Sequence, residues 1–132
     1  MRKQAAKQTS IPAPRKVLVL LDNLFFAAKI NQAAARANVQ PAYAKTSAQA
    51  LALALAERPS LIILDLDEAK CAPLEFLVQL KASPELRTIP TLGFVSHVNT
   101  GLQQQAREAG CDRLVVRSAF DRNLATIFDQ NS

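Results

Sequence analysis

The sequence predicts an α/β domain built on a doubly wound, five-stranded parallel sheet flanked by five helices. Two observations lead to this fold class. Short apolar segments alternate along the chain with longer segments whose apolar residues recur at helical spacing, which is typical of strands and helices in turn. Three of the strand candidates are apolar throughout, as expected of parallel strands covered by helices on both faces.

The predicted elements follow one another in regular alternation. Strands are expected at 17–21, 39–45, 61–64, 91–95 and 114–116, and helices at 24–37, 46–58, 73–80, 101–109 and 121–128. Thr46 is a typical residue to cap the second helix, Pro59 stops it, and Gly110 provides a left-handed end for the fourth helix. At this chain length the flavodoxin-like sandwich is the natural arrangement, with its functional residues at the carboxyl ends of the strands.

Composition restricts the class of protein further. The 132 residues are 49% hydrophobic and 20% charged, which suits a single globular domain and excludes disorder of the whole chain. The apolar segments are too short for a membrane-spanning helix, which needs about 20 residues. The apolar segment 17–21 is also too short for a secretory signal, and no small-residue cleavage site follows it, so a cytoplasmic location is expected. Cys71 and Cys111 lie far apart, and with a single His97 they form neither a disulfide framework nor a metal-binding pattern.

The positive charge is concentrated at the N-terminus. Residues 1–16 carry five basic residues and no acid, whereas residues 17–132 contain 11 basic and 11 acidic residues and sum to zero. Residues 1–16 are therefore predicted to be a flexible basic arm, and 17–132 a single domain. The arm suggests a nucleic-acid-associated adaptor, but it lacks aromatic residues and the neutral body has no reading motif, so nucleic acid is the least favoured partner.

Acidic residues follow two of the predicted buried strands. Asp22 ends the first and Asp65 the third, with Asp67 and Glu68 close behind. Because carboxyl ends of adjacent parallel strands meet at one edge, the carboxylates could share a hard cation such as Mg²⁺ and support phosphoryl transfer. The alternative is that Asp22 and Asp65 cap the following segments while Asp67 and Glu68 are solvated. The acidic cluster alone leaves both interpretations open.

The chain resembles the receiver domain of two-component response regulators. The segment 58–66 looks like the receiver strand that presents the phospho-accepting aspartate, so Asp65 occupies the phospho-acceptor position. The similarity continues through 74–77 and 82–90, which resembles the approach to the fourth strand, and through 109–112 before the fifth. It covers residues 16 to about 128 and implies the receiver fold.

The same resemblance shows a degenerate phosphorylation site. Of the residues that receivers use there, Asp22 and Asp65 remain, and they would hold a metal ion weakly, if at all. The departures are Leu21 for one of two adjacent acids, Val95 followed by Ser96 for the fourth-strand hydroxyl, Leu114 for the fifth-strand aromatic, Arg117 for the lysine and Ser118 for the proline. Arg117 is predicted to pair with Asp65 or Asp22 and to neutralise the cluster.

These residues predict a pseudo-receiver that acts through protein–protein interaction, without a phosphorylation cycle or enzymatic activity. The alternative is a functional single-domain response regulator phosphorylated on Asp65 by a histidine kinase, with Mg²⁺ as cofactor only in that case. The expected partners are signalling proteins, either a histidine kinase or an output protein. A homodimer stays open because the adjacent Phe25 and Phe26 cannot both face inward.

Overall fold

A computed structural model describes residues 13–130, and for Gln130 the backbone alone. One sheet contains five parallel strands in the order β2-β1-β3-β4-β5. The strands are β1 (Arg15–Leu20), β2 (Val39–Ala44), β3 (Leu61–Asp65), β4 (Thr91–Val95) and β5 (Arg113–Val116). The helices are α1 (Leu24–Arg36), α2 (Ser47–Glu57), α3 (Pro73–Ala82), α4 (Thr100–Glu108), α5 (Arg117–Arg122) and α6 (Leu124–Gln130). The predicted doubly wound fold is confirmed.

The core lies on both faces of the sheet because the central strand β3 is apolar on both sides. Ile63 packs in a cluster with Ile30 of α1, whereas Ile62 packs in a second cluster with Phe76 of α3. Each of these side chains is fully buried, which contributes roughly 1.5–3 kcal/mol per side chain. The helices therefore cover two opposite faces and leave the carboxyl edge of the sheet available for a site.

Helix ends form largely where the sequence predicts. The Thr46 hydroxyl caps α2 by accepting a hydrogen bond from the Gln49 amide at 3.1 Å. At the end of α4, Gly110 has a φ of 100°, and the next residue, Cys111, donates its amide to the Ala106 carbonyl. This is the Schellman arrangement, which requires a left-handed residue and so favours glycine.

The predicted boundary of the arm is wrong at its last two residues. Arg15 and Lys16 are the first two residues of β1 and pair in register with β2. The Arg15 guanidinium donates hydrogen bonds to the carbonyl oxygens of Phe128 at 2.7 Å and Ala37 at 2.8 Å, so its charge is used within the domain. The remainder of the predicted arm, 1–12, lies outside the described residues.

The predicted last helix, 121–128, is largely helical in the structure, but its start and its continuity are wrong. Two helices, α5 and α6, take its place, so the described residues form six α-helices and not five. They are separated at Asn123, a residue with low helix propensity, whose amide is shared between the carbonyls of Ala119 and Phe120. Because α5 begins directly after β5, Arg117 is the first residue of a helix and not the end of a strand.

One of the two adjacent phenylalanines is exposed and the other packs inward, as the sequence predicts. Phe25 is 85% exposed, whereas Phe26 packs edge-on against Phe94 at 5.3 Å between ring centroids. Leu24 beside them is also 85% exposed. Within residues 13–130, none of the helices is both long and apolar enough to cross a bilayer.

Candidate functional site at the carboxyl edge of the sheet

The end of β3, the turn that follows it and the start of α5 bring one cation and two carboxylates together at the carboxyl edge of the sheet. Asp65 is the last residue of β3 and is only 3% exposed. Arg117, at the start of α5, reaches across the edge and donates from Nη2 to Asp65 Oδ1 at 2.7 Å. The Asp67 amide donates to the same oxygen at 3.1 Å. The predicted pairing of Arg117 with Asp65 is therefore present.

The second acid bound by Arg117 is Asp67, not Asp22. Asp67 Oδ2 accepts from Arg117 Nη2 at 3.0 Å and Nε at 3.4 Å. It also accepts from the Ser96 amide at the end of β4, at 2.9 Å. The alternative that Asp67 is merely solvated is wrong, since its side chain is 24% exposed and holds groups from two other elements. The turn at Asp65 that folds Asp67 back over the site has no separate signature in the sequence.

The Arg117 guanidinium also lies against two aromatic rings that contact each other. Its central carbon lies 4.9 Å from the ring centroid of Phe26 and 4.9 Å from that of Phe94. Phe94 in turn stacks on Phe120 at 4.4 Å. A planar guanidinium can stack on rings while its edge binds carboxylates, which a lysine ammonium cannot do. Arg117 is thus oriented both by its ion pairs and by its packing.

Three of the substituted positions face the hydrophobic core. Leu21 is 3% exposed and packs on the α1 side of the sheet. Val95 is 1% exposed and packs on the opposite side, where the partly buried Leu114 contacts the same cluster. Ser118 is exposed, and it lines an open cleft with Ser96 and Arg117. None of the three apolar side chains offers a charge or a hydroxyl to the site.

Asp22 lies apart from the Arg117 ion pairs. Its half-exposed carboxylate is 3.9 Å from the Lys70 ammonium and 4.0 Å from that of Lys45. Burial and then the carboxylates of Glu68, Asp65 and Asp22 raise the pKa of the Cys71 thiol to about 11. Asp22 is therefore balanced by lysines and not by Arg117.

The residues present fit a divalent cation poorly. Residues 13–130 include no group of three or more His, Cys, Asp or Glu side chains placed to hold a metal ion. One oxygen of Asp65 is already bound to a guanidinium, and the affinity of a site for a hard cation is lower when fewer carboxylates are free to bind it. Burial raises the pKa of Asp65, and the nearby Arg117 charge opposes that shift without cancelling it.

The fold matches the receiver fold of response regulators, as the sequence resemblance predicted. No family model matches the chain. A curated relative, the polar-differentiation response regulator DivK of Brucella anthropi, is 26% identical over 102 residues, covering 77% of this chain and 83% of that protein.

Solved receiver structures share the fold. The chemotaxis response regulator CheY4 of Vibrio cholerae superposes with a TM-score of 0.78 at 18% identity, over 91% of this chain and 100% of that one. A response regulator from Hahella chejuensis gives 0.79 at 22% identity, over 89% and 94%. The receiver domain of a signal transduction histidine kinase from Syntrophus aciditrophicus gives 0.78 at 21%, over 89% of each chain.

Proposed function

We propose that this chain is a cytoplasmic pseudo-receiver, which signals by binding other proteins and neither cycles a phosphoryl group nor acts as an enzyme. The observation that carries the proposal is the 2.7 Å bond between Arg117 and Asp65, at a carboxylate that is 3% exposed. A phospho-acceptor must present a carboxylate oxygen to the incoming phosphorus. Here the carboxylate is buried and already paired with a fixed cation.

The charge balance supports the same conclusion. Two carboxylates, Asp65 and Asp67, share one guanidinium, which offsets one of their two negative charges without a metal ion. Leu21 contributes no charge where receivers have a second acid beside Asp22. A metal ion would therefore have to displace Arg117, or bind with few ligands.

The packing around Val95 and Leu114 supports a role that does not depend on phosphorylation. Both side chains are apolar and contact one cluster, so neither can form or break a side-chain hydrogen bond in response to a phosphoryl group. A switch needs two arrangements that a ligand can bind differently. We expect a single arrangement here, read by a partner through its surface.

Signalling proteins are the proposed partners, either a histidine kinase or an output protein. The exposed Leu24 and Phe25 at the start of α1 support a contact surface near the carboxyl edge, because large apolar side chains at 85% exposure gain from burial against a partner. The same surface leaves a homodimer open as a form of that interaction.

Phosphorylation is tested by intact-protein mass spectrometry. The purified chain is incubated with Mg²⁺ and acetyl phosphate, with an active response regulator as a reaction control. We expect no phosphoryl adduct on this chain. An adduct that disappears in Asp65→Ala would refute the proposal and favour the functional regulator.

A restored variant makes the experiment sharper. Leu21→Asp, Val95→Thr and Arg117→Lys together return the carboxylate, the hydroxyl and the ammonium of the receiver pattern. We expect this triple variant to bind Mg²⁺ in a calorimetric titration and to accept the phosphoryl group, whereas the natural chain does neither. Asp65→Ala in the triple background is the matched control.

A further inference from the structure

Asp67 joins two parts of the domain through a single oxygen. Its Oδ2 accepts from Arg117 Nη2 at 3.0 Å and from the Ser96 amide at 2.9 Å. Arg117 begins α5, and Ser96 is the first residue after β4, so the carboxylate bridges these segments at the site. Hydrogen bonds to an ionised acceptor are stronger than neutral ones, which makes this bridge the strongest polar connection to Ser96.

Ser96 in turn holds the beginning of α4. Its carbonyl accepts from the Asn99 amide at 3.1 Å and from the Gln103 side chain at 3.3 Å. Asn99 is the cap of α4, accepting from the Leu102 amide at 3.2 Å. A continuous series of hydrogen bonds therefore runs from Arg117 through Asp67 and Ser96 to the first turn of this helix.

The helix itself has little other anchorage. Of the nine residues of α4, Ala106 is the one that is fully buried, the partly buried Leu102 packs against the same core, and six residues are exposed. A helix with so small a buried face gains little from packing, so its position depends on the polar contacts at its start.

We propose that Asp67 is a positioning residue that acts as an internal ligand of the site and holds α4 in one place. Its carboxylate supplies, within the chain, the anion that Arg117 and the Ser96 amide bind together. The surface that includes α4 is then presented constantly to a partner. This inference rests on the proposed function, since it describes how a receiver without a phosphorylation cycle keeps a defined surface.

Hydrogen exchange measured by mass spectrometry tests the proposal, without Mg²⁺ or a phosphodonor. Asp67→Ala removes the bridge, and we expect exchange in residues 96–103 to become about tenfold faster or more, the usual worth of a bond to a charged group. Exchange in β1 and β3 should not change. Glu68→Gln is the matched control, because it removes the neighbouring charge while its own contact is to the Lys70 amide.

Several results would overturn the proposal. They are unchanged exchange of 96–103 in Asp67→Ala, equal acceleration in Glu68→Gln, or acceleration spread evenly over the whole chain. If Asp67→Ala does not fold, Asp67→Asn decides, since it keeps the shape and loses the charge: acceleration limited to 96–103 supports the proposal, and wild-type exchange refutes it. A phosphoryl adduct in the earlier experiment would refute the proposed function alone.

Discussion

Replacing Arg117 by methionine tests the ion pair at the centre of the site. The substitution keeps an unbranched chain that can still pack against Phe26 and Phe94, but it leaves the 3% exposed carboxylate of Asp65 without its cation. Removing one partner of a buried ion pair costs about 3–5 kcal/mol. Because the Arg117 side chain is 31% exposed, we expect the lower end of that range, about 3 kcal/mol of unfolding free energy.

Urea unfolding measures this loss. With a denaturant slope of about 1–3 kcal/mol per molar, the midpoint should fall by about 1–3 M. Lys29→Met is the matched control, since it breaks the exposed 2.9 Å pair with Asp121, and such pairs are worth about 0–1 kcal/mol. The double variant Asp65→Asn/Arg117→Met should recover part of the loss. An Arg117→Met midpoint no lower than that of Lys29→Met would refute the reasoning.

Three further perturbations test the core and the site. Gly93→Ala should lower the free energy of unfolding, measured in urea, by about 1–3 kcal/mol, because the added Cβ would lie 2.6 Å from Leu66 Cδ1. Gly101→Ala, whose added Cβ would meet nothing within 4 Å, should raise it by about 0.5–1 kcal/mol, and equal effects of the two variants would contradict the packing. Burial raises the pKa of Asp65 above its ordinary 3.8, so the folded chain binds that proton more tightly than the unfolded chain does. The stability of the wild type relative to Asp65→Asn should therefore fall as pH rises from 3.8 through the raised pKa. Urea unfolding across a pH series measures this slope, and the opposite slope would show that the pKa is lowered. The Cys71 thiol, with a pKa of about 11, should resist iodoacetamide at pH 8 until urea is added, as followed by intact mass; rapid labelling of the folded chain would contradict its burial.

Much of the fold is readable from the sequence because the central strands are apolar on both faces. The run at 61–64 has no polar residue to place it at a surface, and the structure buries all of it. The end of the chain is harder to predict because residues 117–122 mix charged and apolar side chains over less than two helical turns. In the structure α5 begins at Arg117, directly after the extended Val116 and without a side-chain cap.

The site was predictable where it depends on strand ends and not where it depends on a turn. Asp65 ends β3 and Arg117 follows β5, and both strands end at the same edge of the sheet with β4 between them. Their pairing could therefore be expected, because a long arginine side chain can reach across one strand. The contact between Asp67 and Ser96 depends on how the chain folds back after β3, through the bond from the Asp67 amide to Asp65. Asp22 has an equally suitable side chain, but two lysines lie beside it and Arg117 does not.

The contact between Arg15 and Phe128 has a consequence for how this domain can be joined to others. A 2.7 Å hydrogen bond places the first strand beside the last helix, so the two ends of the described fold meet on one side of the domain. Domains with adjacent ends tolerate insertion into another protein and circular permutation. In a circular permutant, a short linker would join residue 130 to residue 13. New termini could then be placed in an exposed loop, and the contact between Asp65 and Arg117 would be kept.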